Sequence, residues 1–183
     1  LVKNIFSFLL TLILLFAPLT YPLTPIQLTM ISTVTIGIPS FLLALEPNEE
    51  LIRGKFILNV MTKAFPGGLT NVCAVLAVSI LCAVFGYSVD VMNTMAGITV
   101  GFVGLLVLAQ VCFPFDRKRF FIWAAMCAAL VANILFLGRV LYSLVPLTFF
   151  QLVLLAAVMA ASYPFFMAAT KLVPYLAGKW KRL

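Results

Sequence analysis

The chain has 183 residues, 64% of them hydrophobic and 9% charged, with a mean hydropathy of +1.21. No water-soluble domain of that length can hide so much apolar surface, so the composition excludes a soluble globular fold and points to an integral membrane chain. The net charge of +7 is then a topology signal rather than a nucleic-acid footprint, and a chain without histidine lacks the side chain most used for acid–base catalysis.

Six segments read as membrane spans: 2–19, 24–45, 67–87, 94–114, 119–138 and 146–170. The first, "LVKNIFSFLLTLILLFAPLT", has a lysine before an apolar run, as a signal peptide does, but no small-x-small cleavage site follows and five more spans do. With Leu1 in place of an initiator Met, it is expected to be the first span of a piece of a longer protein. The second span carries most of the polar residues and is treated below. The connector 46–66 holds Glu46, Glu49, Glu50, Arg53, Lys55 and Lys63. Its middle is expected to form a short amphipathic helix, either docked on another domain or lying on lipid. In the fourth span, "GITVGFVG" places Gly97, Gly101 and Gly104 on roughly one face, a small-residue packing seam. Asn71, Gln110, Asn133 and Gln151 are isolated polar residues expected to bond between helices, and Asp90 is expected to be solvated in a loop. Cys73, Cys82, Cys112 and Cys127 sit in apolar runs without a C-x-x-C pair and read as small buried hydrophobes. Tyr175 and Trp180 in the tail 171–183 suit an interfacial anchor.

The charges set an orientation. In a six-span array, Lys3, Arg53, Lys55, Lys63, Arg117, Lys118, Arg119, Lys171, Lys179, Lys181 and Arg182 fall on one side and only Arg139 on the other, eleven of the twelve basic residues. The positive-inside rule makes that side cytoplasmic, with both termini inside. The expected fold is an all-α polytopic bundle of six transmembrane helices in the plasma membrane.

Phosphate-loop, zincin and hydrolase-elbow motifs are absent, and this chain alone is expected to catalyse nothing. The chemistry lies in "TPIQLTMISTVTIGIPSFLLALEPN". On a helix, Ser32, Thr35 and Pro39 share one face with Leu28 above, and Thr29, Thr33 and Ile36 a neighbouring one. Pro39 has no N–H for the carbonyl of Thr35, and Gly37 weakens the same turn. Two readings stay open from spacing: an opened turn whose freed oxygens coordinate a cation, or hydroxyls that bond back to their own helix around a simple bend.

That stretch resembles the sixth transmembrane helix of the P-type (E1-E2) cation-transporting ATPases, which reads P-x-Q, then Asn, then T-D-G-x-P. Pro25, Gln27, Thr35, Gly37 and Pro39 match, "LEPN" resembles the start of the next cytoplasmic loop, and "TIGIP" resembles a bacterial branch. Ser32 stands at the family's Asn position and Ile36 at its Asp position. The six-span layout resembles the C-terminal bundle, helices five to ten. The resemblance implies the membrane transport portion of an ATP-driven pump, with Thr35, Ser32, Gln27, Thr29, Gly37 and Pro39 as ion-path residues. Glu46, Glu49, Glu50 and Arg53 would form a coupling loop. Partners would be the upstream domains of the same polypeptide, the lipid bilayer and the transported cation, with ATP and Mg bound by the parent protein and no cofactor in this chain. The alternatives are a fragment of a secondary transporter or channel, and a non-transporting membrane scaffold.

Overall fold

The computed structural model describes residues 2–16, 21–45, 56–113, 116–138 and 143–180. Every regular element among them is helical. The first helix, α1, covers Val2–Phe16. The second begins where its local sequence says it must. Thr24 is extended (φ −85°, ψ 148°) and accepts from the Gln27 N–H, while the Gln27 side chain accepts from the Thr24 N–H at 3.4 Å. Pro25 fills the first turn, where a missing N–H costs nothing. From there α2 (Pro25–Ser32) runs into a π-helical segment, Thr33–Gly37, and on into α3 (Ile38–Ala44). These three pieces are one interrupted span.

The third span starts earlier than its apolar run suggests. Helix α4 covers Phe56–Phe85, so residues 56–66, assigned from sequence to the loop, belong to the same helix, and the apolar span begins at Lys63. Residues 46–55, with Glu46, Glu49, Glu50 and Arg53, lie outside the described residues. Pro66-Gly67-Gly68 reads as a turn, yet it lies inside α4 because neighbouring helices press on it. A Cβ at Gly67 would come 2.5 Å from Val107 Cγ2, and one at Gly68 2.7 Å from Ile5 Cγ2. Tertiary contact here overrides local propensity. The helix ends at Gly86, whose φ of +66° is a left-handed closure. Ser88 then caps α5 (Val89–Cys112), accepting from the Val91 N–H, which starts the fourth span five residues before the expected 94. Asp116 caps α6 (Arg117–Ala132), which passes into a second π-helical segment, Asn133–Leu137. The last helix, α7 (Phe149–Trp180), continues ten residues beyond the expected 170.

Among the described residues, five spans are long and apolar enough to cross a bilayer: Pro25–Leu43, Lys63–Phe85, Val89–Cys112, Arg117–Phe136 and Phe149–Val173. The 15 residues of α1 rise about 22 Å at 1.5 Å each, short of the roughly 30 Å hydrocarbon core. The chain is a multi-pass membrane protein. Helix α4 packs on α1, α5 and α7, while α5 also meets α2, the first π segment and α6. The centre is Phe6, Leu10, Val75, Val78, Met95 and Val103. Phe16, Phe121, Phe136 and Phe149 point outward, the distribution expected when the solvent is lipid. The buried hydroxyls of Thr70, Ser79, Thr94, Thr99 and Ser162 each donate to a carbonyl one turn earlier at 2.8–2.9 Å. They cost the interior no unmet donor.

Several isolated polar residues bond within their own helix rather than between helices. Asn133 Nδ2 donates to the Ala129 carbonyl at 3.0 Å, and Gln151 Oε1 accepts from the Thr148 N–H at 2.8 Å, closing the start of α7. Gln110 is exposed. The inter-helix role falls instead to Trp123, whose Nε1 donates to the Leu105 carbonyl at 3.2 Å, while the Thr94 hydroxyl ties α5 to the segment before α7 by accepting from the Val145 N–H at 3.1 Å. Asp90 lies in the first turn of α5, where a carboxylate suits the positive end of the helix.

Candidate functional site

The break in the second span is a π segment rather than an unwound turn. The Ile38 N–H reaches the carbonyl of Thr33, five residues back. Pro39 supplies the reason, because its ring would collide with the carbonyl four residues earlier and it has no N–H to offer. Widening the turn by one residue relieves that collision while keeping the chain helical, and such π turns recur at functional positions.

Every hydroxyl of this span with a recorded bond returns to its own backbone. Thr29 Oγ1 donates to the Pro25 carbonyl at 2.9 Å, Thr33 Oγ1 to that of Thr29 at 2.8 Å, and Thr35 Oγ1 to that of Ile31 at 2.8 Å. Ser32 Oγ lies 2.6 Å from the Leu28 carbonyl and 3.1 Å from that of Thr29. The second of the two sequence readings is therefore the arrangement seen. It does not silence the oxygens, because a hydroxyl that donates keeps its lone pairs.

Those lone pairs are placed unequally. A cavity of about 190 Å³ opens between α1, the broken span, α4 and α5. Ser32, Thr35, Ile36 and Pro39 line it, together with Lys3 of α1, Asn71 of α4 and Gly104 of α5. Gln27, Thr29 and Gly37 are not among its lining residues. Gln27 is buried in the cap of α2, and Thr29 and Gly37 are exposed. Of the six proposed path residues, the structure gathers Ser32, Thr35 and Pro39.

Helix α5 makes that burial possible. A Cβ on Gly104 would stand 2.9 Å from Thr35 Cγ2 and 3.0 Å from its Cβ and Oγ1. One on Gly97 would be 3.7 Å from Gln27 Oε1, and one on Gly101 3.1 Å from Leu130 Cδ2 of α6. The glycine seam is thus the seat for Thr35 and Gln27 on one side and for α6 on the other.

Electrostatically the cavity is positive. Lys3 Nζ donates to Ser32 Oγ at 3.3 Å, and no carboxylate is among the lining residues. Among the described residues no three His, Cys, Asp or Glu side chains converge on a metal position. Lys3 had been assigned to topology and Asn71 to helix packing. The usable signal for Asn71 was a polar side chain inside an apolar run, which lipid cannot satisfy.

A helical membrane bundle with a proline-broken polar span over a cavity is an arrangement found among polytopic transport proteins. Comparison with known proteins makes this particular. The chain is 31% identical over 144 residues to a probable cation-transporting ATPase, exp7, of Streptococcus pneumoniae, covering 74% of this chain and 18% of that protein. It is 36% identical over 119 residues to the calcium-transporting ATPase CtpE of Mycolicibacterium smegmatis, covering 62% of this chain and 15% of the relative. Against CtpE of Mycobacterium bovis it is 37% identical over 107 residues, 56% of this chain and 13% of the relative. The chain therefore spans less than a fifth of the length of these relatives. No family profile and no solved structure matches it. The P-type resemblance drawn from Pro25, Gln27, Thr35, Gly37 and Pro39 holds: the chain is related to a membrane-spanning part of the cation-transporting ATPases.

Proposed function

We propose that this chain is a membrane transport portion of an ATP-driven P-type cation pump and that the cavity at Ser32, Thr35 and Pro39 is part of its ion path. The observation that carries the reading is the π-helical break, which lies in the stretch that resembles the pumps and against the cavity. Relatedness to ATPases favours it over a secondary transporter, a channel or a scaffold. ATP and Mg would be bound by upstream phosphorylation and nucleotide domains. Their movement would reach the broken span through the segment containing Glu46, Glu49, Glu50 and Arg53. The positive-inside asymmetry supports cytoplasmic termini.

The cavity's oxygens are neutral, and divalent ions favour charged ligands that offset dehydration. Calcium, the cargo named for the CtpE proteins, would need a carboxylate from elsewhere in the pump, whereas a monovalent ion would need less. The test is Thr35→Val in the full-length protein, which keeps the shape and removes one oxygen. Cation-stimulated ATPase activity, titrated separately with Ca²⁺, Mg²⁺, Mn²⁺, Na⁺ and K⁺, should show a half-saturating concentration raised about tenfold, the worth of one net polar contact. Unaltered ion dependence would leave the polar face as a bend and a packing surface.

A further inference from the structure

We propose that Asn71, on α4, is a cation-binding residue whose side-chain carbonyl takes the transported cation, with part of its water shell, inside the cavity beside Ser32 and Thr35. The inference rests on the ion-path reading above and adds a third helix to it. Asn71 is 4% exposed and its Oδ1 is buried without a hydrogen-bond partner. That oxygen meets no donor among the protein's own groups, and native interiors rarely leave a buried acceptor unmet.

The neighbouring polar atoms do not share this condition. Thr35 Oγ1 is bonded to the Ile31 carbonyl, and Ser32 Oγ is bonded to backbone carbonyls and receives the Lys3 ammonium. Thr70, adjacent in sequence, spends its proton on the Pro66 carbonyl. Asn93 Oδ1 is the other unpartnered buried side-chain oxygen among the described residues, and Asn93 does not line this cavity. Among the described residues, Asn71 is the one that both carries an unmet buried acceptor and lines this cavity. That space has room for more than one water.

The chemistry of the ligand follows from the atom. A carbonyl oxygen repels anions and gains nothing from an apolar occupant, whereas a cation or its bound water satisfies it. Because the lining carries Lys3 and no acid, the occupant and the ammonium compete for Ser32. A cation that retains some water tolerates that company better than a bare one.

The experiment uses the full-length pump in membrane vesicles, with ATPase activity titrated separately with Ca²⁺, Mn²⁺, Na⁺ and K⁺ and thermal stability measured alongside. Asn71→Leu, similar in size and without the carbonyl, should raise the half-saturating concentration of the activating cation about fivefold. Asn71→Asp should lower that concentration for a divalent ion. Asn71→Leu with unchanged half-saturation and an equal or higher melting temperature would overturn the proposal, because a packing amide with an unmet oxygen is improved by its removal. Should Asn71→Leu fail to insert, Asn71→Gln and Asn71→Asp decide, and unshifted half-saturation in both overturns it. If Thr35→Val shifts the ion dependence and Asn71→Leu does not, Asn71 loses its role and the ion-path reading survives. If neither shifts, both fall.

Discussion

Thr35 and Gly104 fit each other at a distance that leaves no room for a methyl group. Gly104→Ala should therefore cost about 1–3 kcal/mol through overpacking, read as a lower melting temperature in detergent. Adding Thr35→Ser removes the methyl that a new Cβ would meet at 2.9 Å and should recover part of the loss. Lys3 gives the opposite kind of prediction. Its ammonium holds Ser32 Oγ at 3.3 Å and opposes any cation near it. Lys3→Met should lower the half-saturating cation concentration of the full-length pump a fewfold, with little change in melting temperature, and the effect should shrink at high ionic strength. Ile36 lines the same cavity although it is 42% exposed. Ile36→Asp, which supplies the residue usual for the P-type pumps, should raise apparent divalent affinity in the same titration.

At the scale of the element, the sequence announced the interruption but not its kind. Gly37 and Pro39 are visible as breakers. Whether the chain answers a proline with an unwound turn or with one extra residue in the turn depends on what supports the span from outside. Here that support is α5, where Gly104 accepts Thr35. The destination of the hydroxyls was equally open, because a serine or threonine in a helix can face a cavity and still bond to the carbonyl four residues back. The start of α4 lies upstream of the apolar run from 67, and the approach of Val107 and Ile5 shows why Gly67 and Gly68 stand inside the helix. Pro39→Ala tests the π segment itself. With the ring gone the span can regain α-helical hydrogen bonding, so melting temperature should rise while pump turnover falls.

For the whole molecule, composition settled the class, and charge asymmetry proposes an orientation. Labelling in intact cells checks it. Cysteines introduced at Tyr87 and Ser143, both between helices, should react with an impermeant thiol reagent from outside, and labelling only after lysis would invert the topology. The cavity is where sequence reading stopped short. It is made by residues from four parts of the chain, Lys3, Ser32, Asn71 and Gly104, which no periodicity within one helix can bring together. Sequence reading did find the face formed by Ser32, Thr35 and Pro39, because those three belong to a single span.

The π turn at Thr33–Gly37 also bears on how this span tolerates changes in length. A turn of this kind holds one residue more than an α-helical turn would. Deleting one residue there, such as Ile36, together with Pro39→Ala so that no ring meets the carbonyl one turn back, should return the segment to α-helix and leave the faces of Pro25–Ser32 and Ile38–Ala44 in their present phase. Deleting one residue from the middle of α4, such as Val78, should rotate everything beyond it by about 100° and tear the core apart. The first variant is expected to insert and melt within a few degrees of the parent, and the second to be degraded. A single-codon loss, ruinous almost anywhere else in a packed membrane helix, should here leave the register of both flanking helices as it is.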